Sequence, residues 1–180
     1  MRIAIFASAL LLAGAAIAQD RVDEIWGHTT NRLAEQMDQS FEDGDFPFVI
    51  SMLKVSFADE PKNYETATNL GWMLENVQEW AEAEDFYKKF RLDNPGNPEA
   101  AYPLGYFYYM RKRYPEAEQV LEPTLKVAVH ANTFRILAKC YERQNKYADA
   151  IRVWELQIKK WPNDLPAKAN IDRVKKKMSG

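Results

Sequence analysis

Large apolar residues recur along this chain in a fixed phase. Phe46-Pro47-Phe48-Val49, Trp80-Ala81-Glu82-Ala83, Tyr114-Pro115-Glu116-Ala117 and Tyr147-Ala148-Asp149-Ala150 each open on an aromatic and reach a small residue or valine three later, at spacings of 34, 34 and 33. Leu70-Gly71, Leu104-Gly105 and Leu137-Ala138 keep the same period, with Leu74, Tyr108 and Tyr141 three beyond each small residue. A third series sets Pro61, Pro95 and Pro162 at the unit ends, with Val129 in the remaining slot. Such self-similarity predicts stacked helical hairpins, because one unit cannot bury its own apolar face and stacking makes the core. Pro47 and Pro115 fall where second helices begin, positions at which proline loses no helical hydrogen bond. Asp43-Gly44-Asp45 and Asn94-Pro95-Gly96-Asn97-Pro98 read as turns, with Asn97 and Pro98 as cap and first residue of the next helix. Pro103 and Pro123 sit inside the third unit and predict an irregular repeat whose first helix is bent or starts late.

The ends read differently. Arg2, the apolar run from Ile3 to about Ala16 and the small residues Ala16 and Ala18 have the layout of a secretory leader cleaved after Ala18. The run is short for a membrane span, which takes roughly 20 residues. A helix from about Val22, with Ile25, Trp26 and Leu33, is expected to cover the start of the array. At the other end Ala167, Ile171, Val174 and Met178 lie three or four apart, while Lys168, Arg173, Lys175, Lys176 and Lys177 mainly face water, as a capping helix requires.

The Leu-Gly, Tyr, aromatic, Ala and Pro positions together resemble the tetratricopeptide repeat, over roughly residues 30–164. The expected fold is all-α, a right-handed α-solenoid of helix-turn-helix repeats, with about four units and a C-terminal capping helix. The chain divides into a leader (1–18), an N-terminal helical segment (19–29), units at 30–63, 64–97, 98–130 and 131–164, and the cap (165–180). The first unit is degenerate, with Gln36-Met37 in place of Leu-Gly and Ser40 in place of Tyr. Gly71 and Gly105 let paired helices approach closely, with Ala83 and Ala117 as their counterparts, and Trp80, Tyr114 and Tyr147 fill the space between units.

Composition narrows the function classes. Loss of residues 1–18 removes one cation and no carboxylate, taking the net charge from −2 to −3 and leaving no global case for nucleic acid. With Cys140 the only cysteine, no internal disulfide forms, and its neighbours Leu137-Ala138-Lys139 and Tyr141 mark it as a small buried hydrophobe. His28 and His130 are read as lacking acidic partners at helical spacing, and His130 as an exposed turn residue. Phosphate-binding glycine loops and metal-ligand or nucleophile motifs are absent, so neither an enzyme nor a cofactor is expected.

In arrays that this sequence resembles, positions 2, 5, 6, 9, 12 and 13 of each unit line a concave groove. Carried across, they give Glu65, Thr68, Asn69, Trp72, Glu75 and Asn76 from the second unit, and Glu99, Tyr102, Pro103, Tyr106, Tyr109 and Met110 from the third. The fourth supplies Asn132, Arg135, Ile136, Lys139, Glu142 and Arg143. Trp72, Tyr102, Tyr106, Tyr109 and Met110 form an apolar centre suited to a protein hot spot, with Asn69 and Asn76 placed to bond an extended backbone. Acidic Glu35, Asp38 and Glu42 on one side and basic Arg135, Lys139 and Arg143 on the other would orient a charged ligand. The family's two-carboxylate clamp is not reproduced, since Ala34, Asp38, Glu99 and Pro103 occupy its slots.

The expected partner is therefore a protein or peptide segment, bound in the periplasm or outside the cell, with no nucleic acid and no stable membrane insertion. Two alternatives stay open: a structural, self-associating module forming a homo-oligomer, and an envelope-surface binder acting through the basic C-terminal helix. A groove filled by the chain's own N-terminal or capping helix also stays open.

Overall fold

The computed structural model describes the backbone of residues 2–179 and the side chains of residues 20–22 and 24–179. It is helical: α1 (Arg2–Glu42), α2 (Phe46–Asp59), α3 (Tyr64–Asn76), α4 (Trp80–Asp93), α5 (Tyr102–Met110), α6 (Tyr114–Leu121), α7 (Ala131–Arg143), α8 (Tyr147–Lys160) and α9 (Leu165–Met178). A 3-10 turn, Glu122–Thr124, follows α6. The side chains on which the leader and its cleavage after Ala18 rest lie outside the described residues. Among the described residues, no helix is long and apolar enough to cross a membrane.

The chain divides into two compact units at Val55/Ser56. In the first, α1 runs without a break through position 30 and ends at a left-handed Gly44 (φ 78°). There the Asp45 N–H donates to the Ser40 carbonyl at 2.8 Å and the Gly44 N–H to that of Phe41 at 3.2 Å. Glycine suits this helix-ending turn because it has no Cβ to clash. Of Ile25, Trp26 and Leu33, expected as packing residues, the first two are exposed and Leu33 is half-buried. Glu24 lies one turn before His28 with 4.0 Å between their charged atoms, an exposed acidic neighbour at helical spacing that the sequence reading missed.

The second unit is an α-solenoid in which successive helices pack: α3 on α4, α4 on α5, and so on through α8 on α9. Its core repeats with the sequence. Leu70, Leu74 and Phe90, then Leu104, Phe107 and Leu121, then Leu137, Val153 and Trp154 are almost wholly buried. Gly71 faces the Tyr87 ring and Gly105 faces Leu121, so closely that a Cβ at either would overlap the opposing side chain. The close approach is therefore made against the residue sixteen later, with Ala83 and Ala117 buried alongside.

The turn that Gly44 makes recurs with other residues. Gln78 (φ 66°), Lys112 (φ 60°) and Asn145 (φ 59°) follow α3, α5 and α7 at the same phase. Glu79, Arg113 and Lys146 each donate a backbone N–H five residues back, to Leu74, Tyr108 and Tyr141, at 2.9 Å. A side chain in the left-handed region costs about 1–2 kcal/mol, which repeat packing offsets. Ion pairs tie neighbouring repeats in the same rhythm: Arg113 to Glu84 at 2.5 Å, and Lys146 to Glu118 at 2.8 Å.

The third repeat is irregular as its prolines predict. Residues 98–101 form turns, and α5 starts only at Tyr102 with Pro103 in its first turn. Asn97 therefore caps that turn, accepting the Glu99 N–H at 2.9 Å, and Pro98 does not begin the helix. α6 stops at Leu121, and Pro123 lies in the 3-10 turn. Glu99, placed in the groove by the sequence reading, is buried and accepts the backbone N–H groups of Val129 (2.8 Å) and His130 (3.2 Å).

Candidate functional site

One face of α3 and one of α5 present the same positions, i, i+4, i+7 and i+8: Thr68, Trp72, Glu75 and Asn76 on α3, and Tyr102, Tyr106, Tyr109 and Met110 on α5. Between them lies a groove of about 960 Å³ that Trp80, Glu84 and Tyr87 of α4 also line, together with Arg111 and Arg113. Its apolar walls are large and half open, with Trp72 51% exposed, Trp80 45% and Met110 55%. The tyrosines form a stack along α5. Tyr102 and Tyr106 are 5.9 Å apart at 19°, and Tyr106 and Tyr109 are 6.5 Å apart at 28°.

The charges in this groove are paired with each other. Arg111 donates to Glu75 at 3.0 Å and lays its guanidinium over Trp80 (4.2 Å to the ring centre) and Phe107 (3.7 Å). The Tyr87 hydroxyl donates to the same Glu75 at 2.9 Å. Arg113 and the Tyr108 hydroxyl both bond Glu84, the latter at 3.0 Å. The hydrogen bonds from Arg113 hold the Glu84 carboxyl down at about 2, far below the usual carboxylate range. A groove with aromatic walls and self-neutralised charges selects for apolar surface, because a charged ligand gains little where every ion already has a partner.

That depressed carboxyl sets a pH dependence. Folded Glu84 stays charged and bonded down to about 2, whereas an unfolded glutamate takes up its proton near 4.3. Its stabilisation is complete above the unfolded value and is lost as pH falls from there through about 2. Glu116, Glu142 and Asp164 are lowered too and act with the same sign; at Glu142 and Asp164 burial opposes the shift and is outweighed by the bonds they accept. Chemical denaturation at pH 7, 4 and 2.5 is expected to show stability declining below about pH 4.5, with a smaller decline in Glu84→Gln. Equal acid sensitivity of the two proteins would remove Glu84 from this account.

The sequence-selected residues divide. Trp72, Asn76, Tyr102 and Tyr106 meet in the groove. Tyr109 and Lys139 line a neighbouring hollow of about 480 Å³ with Glu142, Arg143, Asn145, Tyr147, Arg173 and Lys177. Asn69 is exposed and lines neither. Arg135 is turned away, bonding Asp164 at 3.1 Å, the residue that caps α9 by accepting the Ala167 N–H. Arg173 and Lys177, read as solvated cap residues, reach Glu142 on α7, the arginine through both nitrogens at 2.6 and 2.7 Å.

Trp80 is the main residue that the sequence reading misplaced. Expected in the packing between units, it forms a groove wall, while Tyr114 and Tyr147 are only half-buried. Its contact with Arg111, 31 residues later, is made by the fold, and no sequence signal marks it. Cys140 is wholly buried, and burial pushes its thiol up to about 12, so it is protonated at neutral pH. His130 is exposed at the start of α7. Among the described residues, no group of His, Cys, Asp and Glu is arranged to hold a metal ion.

The family model of the anaphase-promoting complex, cyclosome, subunit 3 matches residues 76–155. A crystal structure of MamA protein superimposes with a TM-score of 0.62 at 26% identity, over 82% of this chain and 81% of that one. A second MamA crystal structure gives 0.63 at 24% identity, over 79% and 84%. MamA from Desulfovibrio magneticus RS-1, residues 41 to its end, gives 0.62 at 18% identity, over 82% and 84%. No curated protein matches the sequence.

Proposed function

We propose, on the premise that this chain is a tetratricopeptide-repeat protein, that it is a non-enzymatic adaptor working in the periplasm or outside the cell. It holds a segment of another protein in the groove between α3 and α5. The observation that carries this reading is the exposed apolar wall of Trp72, Trp80, Tyr106 and Met110, three of them aromatic. A folded protein gains nothing from leaving so much aromatic surface in water, and rigid aromatics with polar tips are what protein hot spots are made of. The location rests on the leader-like first 18 residues.

The test uses chain exported through its own leader and purified from outside the inner membrane. Its first residue is expected to be Gln19. Wild type is expected to bind apolar members of a peptide array, and Trp72→Ala/Tyr106→Ala to lose about tenfold to a hundredfold in affinity, as for truncated hot spots. Equal binding by the two proteins would place the site elsewhere. An intact leader on the purified chain would overturn the location. Self-association is the second reading, favoured by the exposed Val22, Ile25 and Trp26 of α1. A concentration-stable dimer that protects Trp72 and Tyr106 would replace the adaptor with it.

A further inference from the structure

The groove does not end at Tyr106. The α5 stack continues to Tyr109, and Tyr109 is also a wall of the hollow that α7 and α9 share. On α7 the positions matching Trp72 and Tyr106 are taken by Lys139, and those matching Asn76 and Met110 by Arg143. The same helical face therefore passes from aromatic on α5 to cationic on α7. The hollow holds four cations, Lys139, Arg143, Arg173 and Lys177, against one carboxylate, Glu142. That carboxylate is occupied by both nitrogens of Arg173 and approached by Lys177 at 3.7 Å. Lys139 and Arg143 are exposed and make no ion pair among the described residues.

We infer that the segment held by this protein is bipartite, with an apolar or aromatic stretch in the α3–α5 groove and carboxylates immediately beyond it, received by Lys139 and Arg143. The inference rests on the groove reading above and names the chemistry of its ligand. Charge complementarity argues for it. The groove has already neutralised its own ions and offers apolar contact, whereas the adjoining hollow has cations to spare and excludes a basic segment by like-charge repulsion. Spacing follows from the stack. Tyr102 to Tyr109 spans at most about 12 Å by its two ring-to-ring steps, which is no more than three to four residues of extended chain. The carboxylates therefore belong within that distance of the anchoring side chain. Single-stranded nucleic acid also stacks on aromatics, but it needs available cations along its whole backbone, and here Arg111 and Arg113 of the aromatic part are already paired with Glu75 and Glu84.

The test uses synthetic peptides with a leucine–phenylalanine core and three glutamates at one end or the other, matching peptides with three lysines, and glutamate peptides with an alanine core. Each is titrated into the full chain and read by calorimetry. One of the glutamate peptides is expected to bind about five- to tenfold more tightly than its lysine match at low salt, the gap closing as salt rises. Lys139→Ser/Arg143→Ser is expected to erase the gap and keep the core-dependent affinity, and Lys139→Glu to invert the preference. Both substitutions lie on exposed side chains without ion pairs, so the fold stands. Equal binding of glutamate and lysine peptides by wild type, both dependent on the core, overturns the bipartite ligand and leaves the groove reading intact. Absence of any core-dependent binding overturns the groove reading as well. A short single-stranded DNA oligomer that binds more tightly than every peptide overturns the assignment of the ligand as protein.

Discussion

Trp154→Ala is expected to remove about 3–5 kcal/mol of unfolding free energy, the usual cost of emptying a buried tryptophan site. Trp154 is 1% exposed, on α8, sixteen residues after Ala138 and so in the place that Tyr87 and Leu121 take opposite Gly71 and Gly105. The indole N–H also donates to Glu142 at 3.3 Å, the carboxylate that anchors α9 through Arg173. Truncation thus opens a cavity and withdraws a bond from the residue holding the cap. Urea denaturation followed by circular dichroism reads the effect, with a melting temperature lower by on the order of 10 °C. A change under 1 kcal/mol would mean that α7 and α8 do not meet through this side chain.

Gly71→Val is expected to be the second most damaging change, and it reaches the groove. A side chain at 71 overlaps the ring of Tyr87, which is buried and bonds Glu75. Glu75 in turn fixes Arg111 against Trp80 and Phe107. Overpacking of this kind costs typically 1–3 kcal/mol, offset by a few tenths from valine's better helix propensity. The expected result is a net loss of about 2 kcal/mol with altered fluorescence from Trp72 and Trp80. Gly96→Ala is the control, because a Cβ there meets nothing within 4 Å. Stability equal to wild type in Gly71→Val would show that α3 and α4 are farther apart than described.

The repeat architecture was legible because packing positions must recur whenever identical hairpins stack. Leu70-Gly71 and Leu104-Gly105 announce a close helix approach in the letters themselves. The left-handed turns are legible at Gly44 and at Asn145, since asparagine also tolerates that region, but Gln78 and Lys112 are residues no rule would place there. The groove was half legible. Trp72, Tyr102 and Tyr106 follow from register, which the repeat fixes. The fates of Arg135 and Glu99 depend on Asp164 and on the backbone of Val129 and His130, about thirty residues away, and no local pattern records such a pairing. Trp80 was hidden by its own regularity, since it keeps the phase of Tyr114 and Tyr147 yet stands in the wall of the groove.

The neighbour-to-neighbour packing of α3 through α9 bears on how the protein is made. Each hairpin needs only its immediate neighbour to pack against, with no distant segment to wait for and no disulfide to close. Chains with such local contacts fold in microseconds to milliseconds. A polypeptide delivered end-first, from a ribosome or through a translocation pore, can therefore wind up behind its leading end as it emerges, exposing little more than one unfinished repeat at a time.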